Sequence, residues 1–271
     1  MIEKILSLPK TVPHMKITII GAGNMGGATA IGFSRFCKDC ALTVTTAHAE
    51  TLEKYASLGM ETSLDNAAAA SGADIIVLGV KPWLVESVLE TITPVLKGKL
   101  LLSLAAGIPS GTMASYLAGA GVTGLYTVIP NLAIEMGESM TFIHEIQGTA
   151  STRETVLKLF ESVGKALIVN EKQLNAGMMV ASCGTAFALR YARAATEGGV
   201  ALGLYPAQAL EAVLQTLKGA AHLVEAHKTH PEQEIDRVTT PGGITIRGLN
   251  AMEEAGFTNA VLQGLLRPLK D

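Results

Sequence analysis

The chain has 271 residues, more than a single hydrophobic core usually serves, and its 48% hydrophobic content includes only 4% aromatic residues, so Ala, Val, Leu, Ile and Met must form the interior of two domains. A formal net charge of −3, spread without long like-charge blocks, excludes the electrostatic footprint of a nucleic-acid binder or a basic membrane-surface protein. No apolar run approaches the ~18 residues of a spanning helix, so the expected partner is a small molecule, with no nucleic acid and no membrane.

In chain order, Met1 to Met15 contains Glu3, Lys4, Pro9, Lys10 and Pro13, which interrupt any secretory apolar core; a cytoplasmic location is expected. Lys16 to Ile20 is a short β-branched run followed at once by glycines and an Ala-rich helical stretch to about Phe36. Cys37 and Cys40 form a C-x-x-C in the loop that follows. Cys183 stands alone, so three cysteines build no disulfide framework, and no metal site is expected.

Strand and helix signals then alternate. Leu42 to Thr45 reads as a strand, Thr51 to Leu58 as a helix, Asp74 to Val80 as a buried strand and Trp83 to Thr93 as a helix. Leu100 to Leu104, Gly124 to Val128 and Met140 to His144 read as strands, Ser151 to Val163 as a helix and Lys165 to Val169 as a last strand. This βαβ order predicts a parallel, doubly wound sheet over residues 15–168. After Asn170 the β-branched runs largely disappear, and residues 169–271 read as an all-helical second domain. Pro206 at a helix start leads into a long segment with apolar residues on more than one face, which predicts a homodimer through these helices.

Gly21-Ala22-Gly23-Asn24-Met25-Gly26 follows the first strand and opens the first helix, the context in which a glycine pattern becomes a dinucleotide-binding loop. Gly21 permits the tight turn, Gly23 lets backbone approach a pyrophosphate, and Gly26 lets helix and strand pack closely; the helix N-terminus offers N–H donors to the anion. At the end of the second strand, Thr45-Thr46-Ala47-His48 carries no carboxylate before Glu50, so nothing repels a 2′-phosphate. The expected cofactor is NADPH, with NADH as an alternative, and His48 reads either as a phosphate donor or as an exposed loop residue.

The glycine loop, Asn66, Val80-Lys81-Pro82, Ala105-Ala106-Gly107-Ile108, Pro130-Asn131 and Thr239-Thr240-Pro241-Gly242-Gly243-Ile244-Thr245-Ile246 with Gly248-Leu249 together resemble pyrroline-5-carboxylate reductase, from Met15 to about Arg267. The resemblance implies an N-terminal Rossmann domain, a helical C-terminal dimerisation domain, homodimers or oligomers of dimers, and NAD(P)H-dependent reduction of 1-pyrroline-5-carboxylate to L-proline. It implies that Thr45, Thr46, Asn66, Val80, Lys81 and Pro82 line the cofactor with the glycine loop, that Ala105 and Ala106 lie near the nicotinamide, and that Thr240, Pro241, Gly242, Gly243 and Thr245 hold the substrate. The residues alone leave Lys81 as a surface cation, Asn66 as a helix cap and Pro82 as the first turn of a helix. Where the family commonly has a polar pair after the second strand, R-x-M-P-N-T and S-G-S-G-P-A-F, this chain has Thr46-Ala47, Thr127-Val128-Ile129-Pro130-Asn131-Leu132 and Ser182-Cys183-Gly184-Thr185-Ala186-Phe187.

Reduction of a C=N bond needs a hydride donor, a protonated imine and fixed geometry, and a small substrate is best gripped by its carboxylate. Thr240 is expected to cap a helix whose first turn contains Pro241, leaving free N–H groups beside two glycines. That helix is expected to run through a buried Leu249/Met252 stripe to Gly256, with Thr245 one turn along as a binding and proton-relay hydroxyl. Two other readings stay open: a reductase of another imine or a small keto acid, and a non-catalytic dinucleotide-binding protein.

Overall fold

The structure, a computed structural model, describes residues 15–269. The reading of Met1 to His14 lies outside the described residues. Contacts divide the chain into two compact units, with the break between Ser182 and Cys183.

The first unit is built on strands β1 (Met15–Ile20), β2 (Cys40–Thr45), β3 (Glu61–Ser63), β4 (Ile75–Leu78), β5 (Leu100–Ser103), β6 (Gly124–Ile129), β7 (Ser139–Gln147) and β8 (Gly164–Ile168). Its helices are α1 (Asn24–Phe36), α2 (Leu52–Ala56), α3 (Asn66–Ser71), α4 (Val85–Ile92), α5 (Ser110–Tyr116), α6 (Ala150–Glu161) and α7 (Glu171–Gly177). Among the described residues the eight strands form one sheet in the order β3-β2-β1-β4-β5-β6-β7-β8.

Neighbouring strands from β3 to β6 pair in parallel, with a crossover between each strand and the next in the chain, whereas β6 and β7 are antiparallel. This departs from an all-parallel sheet. Pro130, Asn131 and the 3-10 turn Leu132–Met136 leave too little chain for a crossover, and Gly137, at φ +72°, turns it straight back. β8 then follows α6 and pairs in parallel with β7.

Central strands are apolar on both faces because helices cover both. Ile17, Ile19, Val77 and Leu102 pack with Phe33, Tyr126 and Phe160 on one side. Ile76, Leu78 and Leu101 pack with Val85, Leu89, Ile92 and Met113 on the other. Each such fully buried side chain contributes roughly 1.5–3 kcal/mol.

Cys37, at the C-terminal cap of α1, and Cys40, the first residue of β2, are joined by a disulfide. The expected loop after the first helix is a tight turn that brings their Cα atoms to 5.7 Å, within bridging reach.

The second unit contains α8 (Gly184–Ala201), α9 (Pro206–His227), α10 (Pro231–Val238), α11 (Ile244–Glu254) and α12 (Phe257–Leu266). The irregular turn Met178–Cys183, of π type, leads into it. Pro206 stands at the first position of α9, where its missing N–H costs nothing. No helix among the described residues is long and apolar enough to cross a membrane.

Candidate functional site

The topology creates a crevice where strand order reverses, at the carboxyl ends of β1 and β4, which is where open α/β sheets bind ligands. Gly21 sits there at φ +97°, a conformation that strains other residues, and its N–H donates to the Thr45 carbonyl at 3.0 Å. A Cβ on Gly26 would collide with the Gly21 carbonyl oxygen, so this glycine sets the spacing of α1 against the turn. Gly23 is different. A Cβ there would meet nothing within 4 Å, so its open side faces away from the protein and lets a phosphate approach. Asn24 and Met25 open α1, whose first N–H groups have no side-chain cap. The cradle therefore fits a dinucleotide pyrophosphate.

Residues expected around it fall into three groups. Thr45 is buried and donates its hydroxyl to Asn66 Oδ1 at 2.6 Å, tying the end of β2 to the start of α3. Asn66 is the first residue of that helix, but the cap is Asp65, whose carboxylate accepts from the Ala68 N–H at 2.9 Å. Thr46 is half-buried, its Oγ1 accepting from the His48 N–H and lying 3.2 Å from Thr51 Oγ1. His48 is an exposed loop residue 3.7 Å from Glu50.

Val80 packs directly on Gly21, Lys81 is exposed, and Pro82 opens the 3-10 turn Pro82–Leu84. After β5, Ala105 is buried in the core while Ala106 is half-exposed, so of the two it is Ala106 that presents surface.

Several supports of this region join residues distant in the chain and leave no local pattern. Tyr55 is buried, and its phenol, pushed up by burial and then by Glu135, stays neutral and donates to the Ala22 carbonyl at 3.3 Å. Beside it a cavity of about 300 Å³ is lined by Gly23, Asn24, Lys54, Tyr55, Leu132 and Glu135. Glu171, the first residue of α7, accepts from both the N–H and the hydroxyl of Ser110, at 2.7 and 2.8 Å. These bonds hold its carboxyl below the usual range and tie α7 to the residue just beyond the Ala105–Pro109 loop. Asn131 is also structural, accepting from the Ala133 N–H and donating to the Ala181 carbonyl.

In the second unit the Thr239–Gly243 segment corrects the expected cap. Thr239 ends α10, and Thr240-Pro241-Gly242-Gly243 forms a turn closed by the Gly243 N–H to the Thr240 carbonyl at 2.9 Å. Pro241 fits the second turn position and Gly242, at φ +68°, the third, so proline starts no helix here. Gly243 caps α11 with backbone alone, and Thr245 is therefore an exposed residue in the first helical turn rather than one turn along. No residue of α11 is buried in the single chain, Leu249 and Met252 included, so the expected stripe is not covered within one protomer.

Just upstream, Glu234 accepts from Thr229 Oγ1 at 2.6 Å and Arg237 Nη1 at 2.6 Å, and lies 3.0 Å from His227 Nδ1. With 9% exposure it is the one buried acidic or basic side chain among the described residues. The network joins the end of α9 to α10, which delivers the turn.

The first unit is thus a dinucleotide-binding protein of the Rossmann class, with a glycine turn shaped for a pyrophosphate. Residues 16–107 match a family model described as NADP oxidoreductase coenzyme F420-dependent, and residues 171–269 one described as pyrroline-5-carboxylate reductase dimerisation. The chain is 35% identical over 273 residues to pyrroline-5-carboxylate reductase 2 of Dictyostelium discoideum, covering 93% of this chain and 90% of that one. It is 32% identical over 264 residues to the reductase of Methanosarcina acetivorans, covering 94% and 95%. A crystal structure of Plasmodium falciparum pyrroline carboxylate reductase with NADP bound superposes with a TM-score of 0.85 at 26% identity, over 94% of this chain and 95% of that one. The chain belongs to the pyrroline-5-carboxylate reductase family.

Proposed function

We propose that this chain reduces 1-pyrroline-5-carboxylate to L-proline with NADPH, NADH serving as a second donor. The observation that carries the reading is the 35% identity extending through nearly the whole of both chains. The bound cofactor supplies the hydride. The chain's own residues supply binding and orientation, which remove much of the entropic barrier to reaction.

Gly21 to Gly26 hold the pyrophosphate, with Thr45, Thr46, Asn66, Val80, Lys81 and Pro82 around the adenosine half and Ala105 and Ala106 toward the nicotinamide. Thr240 to Gly243 grip the substrate carboxylate. In this turn the small glycines and the uncapped N–H groups of the first turn of α11 suit an anion, and Thr245 presents its hydroxyl to the carboxylate or ring nitrogen. No further acid is required of the protein when the imine arrives protonated.

The division of labour follows the chain, residues 15–168 for the cofactor and 169–271 for substrate and dimerisation. The working form is a cytoplasmic homodimer or oligomer of dimers with a small-molecule substrate and no nucleic-acid partner. Steady-state oxidation of NADPH and NADH against pyrroline-5-carboxylate tests the reading, and turnover is expected with both, faster with NADPH. Turnover of another cyclic imine but not of pyrroline-5-carboxylate would replace the substrate. Cofactor binding with no turnover of any imine or keto acid would make the chain a binding protein.

A further inference from the structure

Trp83 is the chain's single tryptophan and, at 76% exposure, the most exposed large apolar side chain of the first unit among the described residues. An indole carries more buriable area than almost any side chain, so leaving it in water forgoes a large stabilisation unless something covers it. Its position says what does. Val80, three residues earlier, packs on Gly21 of the phosphate turn, and Pro82 together with the Leu84 N–H to Lys81 carbonyl bond at 2.9 Å fixes the intervening backbone. Val85 and Leu89, both buried, anchor the helix that follows, so the indole stands on a rigid turn rather than a loose loop.

The turn lies at the carboxyl end of β4, on the rim of the crevice at the β1/β4 reversal. A second exposed apolar side chain, Leu64, lies just beyond β3, two residues before the Asn66 that bonds Thr45. The end of β2 is where a dinucleotide's adenosine ribose is held, and the nicotinamide half lies toward β5. The flat group nearest the β2 and β4 ends is therefore the purine.

We infer that Trp83 is the platform on which the adenine ring of the cofactor stacks, which makes it a binding residue for the adenosine half of NAD(P)H. The inference rests on the cofactor reading above and extends it to a residue outside the glycine turn. Stacking needs only the π face, so it adds affinity for NADH and NADPH equally and leaves discrimination to the residues after β2.

Because the chain has one tryptophan, its emission reports this contact in the whole protein. ADP-ribose, which has adenine and no nicotinamide, is expected to quench the emission. Trp83→Ala is expected to raise the ADP-ribose Kd, measured by calorimetry, about tenfold, and Trp83→Phe to restore most of the affinity. ADP-ribose bound with unchanged emission, a Kd for Trp83→Ala within about twofold of the native value, a response to nicotinamide mononucleotide alone, or an emission shift that follows protein dilution instead of ligand would each overturn the inference. Failure of NADPH itself to bind, followed by direct excitation of its dihydronicotinamide, would remove the cofactor reading as well, so the two failures are told apart.

Discussion

The two units solve the problem of covering apolar surface in opposite ways. The sheet unit closes on itself: helices lie over both faces, and Ile17, Ile19, Ile76, Leu78 and Leu101 are sealed within one protomer. The helical unit does not. Leu189, Val200, Leu210 and Leu214 on α8 and α9 remain exposed, and an open apolar groove of about 730 Å³ runs between these helices. Of α8 and α9 only Ala192 and Ala209 are buried, small residues where the two helices approach closely. A helix set that buries so little alone is built to be completed by another chain, which agrees with the dimerisation description that residues 171–269 match. Damage in the first unit should therefore act on cofactor binding, and damage in the second on assembly and substrate.

The largest expected effect is at Gly26. Replacement by Ala places a methyl against the Gly21 carbonyl oxygen, where backbone must move, and NADPH affinity should fall at least about 100-fold, roughly 2.7 kcal/mol, in a fluorescence titration. Gly111→Ala in α5, where a Cβ meets nothing within 4 Å, is the matched control and should leave affinity unchanged. Equal behaviour of the two would mean that packing around the turn does not set the cofactor site. Next comes Leu210→Glu, which puts a charge in the open groove of the helical unit. It should raise the subunit dissociation constant about 30-fold, roughly 2 kcal/mol, in light scattering, while leaving NADPH affinity within about twofold. A change in cofactor affinity without a change in mass would break the comparison.

Thr245→Ala should lower kcat/KM by about tenfold, roughly 1.4 kcal/mol of transition-state binding, with cofactor affinity intact. An unchanged value would remove the hydroxyl from the mechanism. Thr245 also shows where sequence reasoning stops. The strand-glycine-helix run from Lys16 to Phe36 was legible because β-branched residues, glycines and alanines each favour one local structure, and Gly21 at φ +97° answers to its residue type. The Thr240 turn was not, because T-P-G-G satisfies both a capped helix start and a proline-glycine turn; the chain takes the turn, with Gly242 in the left-handed region. β3, Glu-Thr-Ser, has no apolar alternation, and its place in the sheet comes from pairing with β2. α5 buries a single side chain, Met113, too little for a periodic signal. Contacts such as Tyr55 to Ala22 or Glu171 to Ser110 join residues 33 and 61 positions apart, and no local pattern announces them.

The smallest effect tests whether the helical unit contains any self-sufficient part. Among the described residues Glu234 is its one buried carboxylate, and hydrogen bonds from Thr229 first, then His227, together with Arg237, hold its pKa below the usual range. A carboxyl depressed in the folded state contributes stability that is fully present above its unfolded value, about 4.3, and is lost as pH falls through the folded value. Glu234→Gln should therefore lower the thermal midpoint at neutral pH, and the gap to the native chain should narrow once pH falls below the usual carboxylate range and close where the native carboxyl, held below that range, also takes up its proton. A gap that persists unchanged into acid would mean that the amide fails for reasons of shape and not of charge. A gap that closes, with the oligomer still intact by light scattering, would locate a pH-dependent brace inside a single protomer, between the end of α9 and the helix that carries the Thr240 turn.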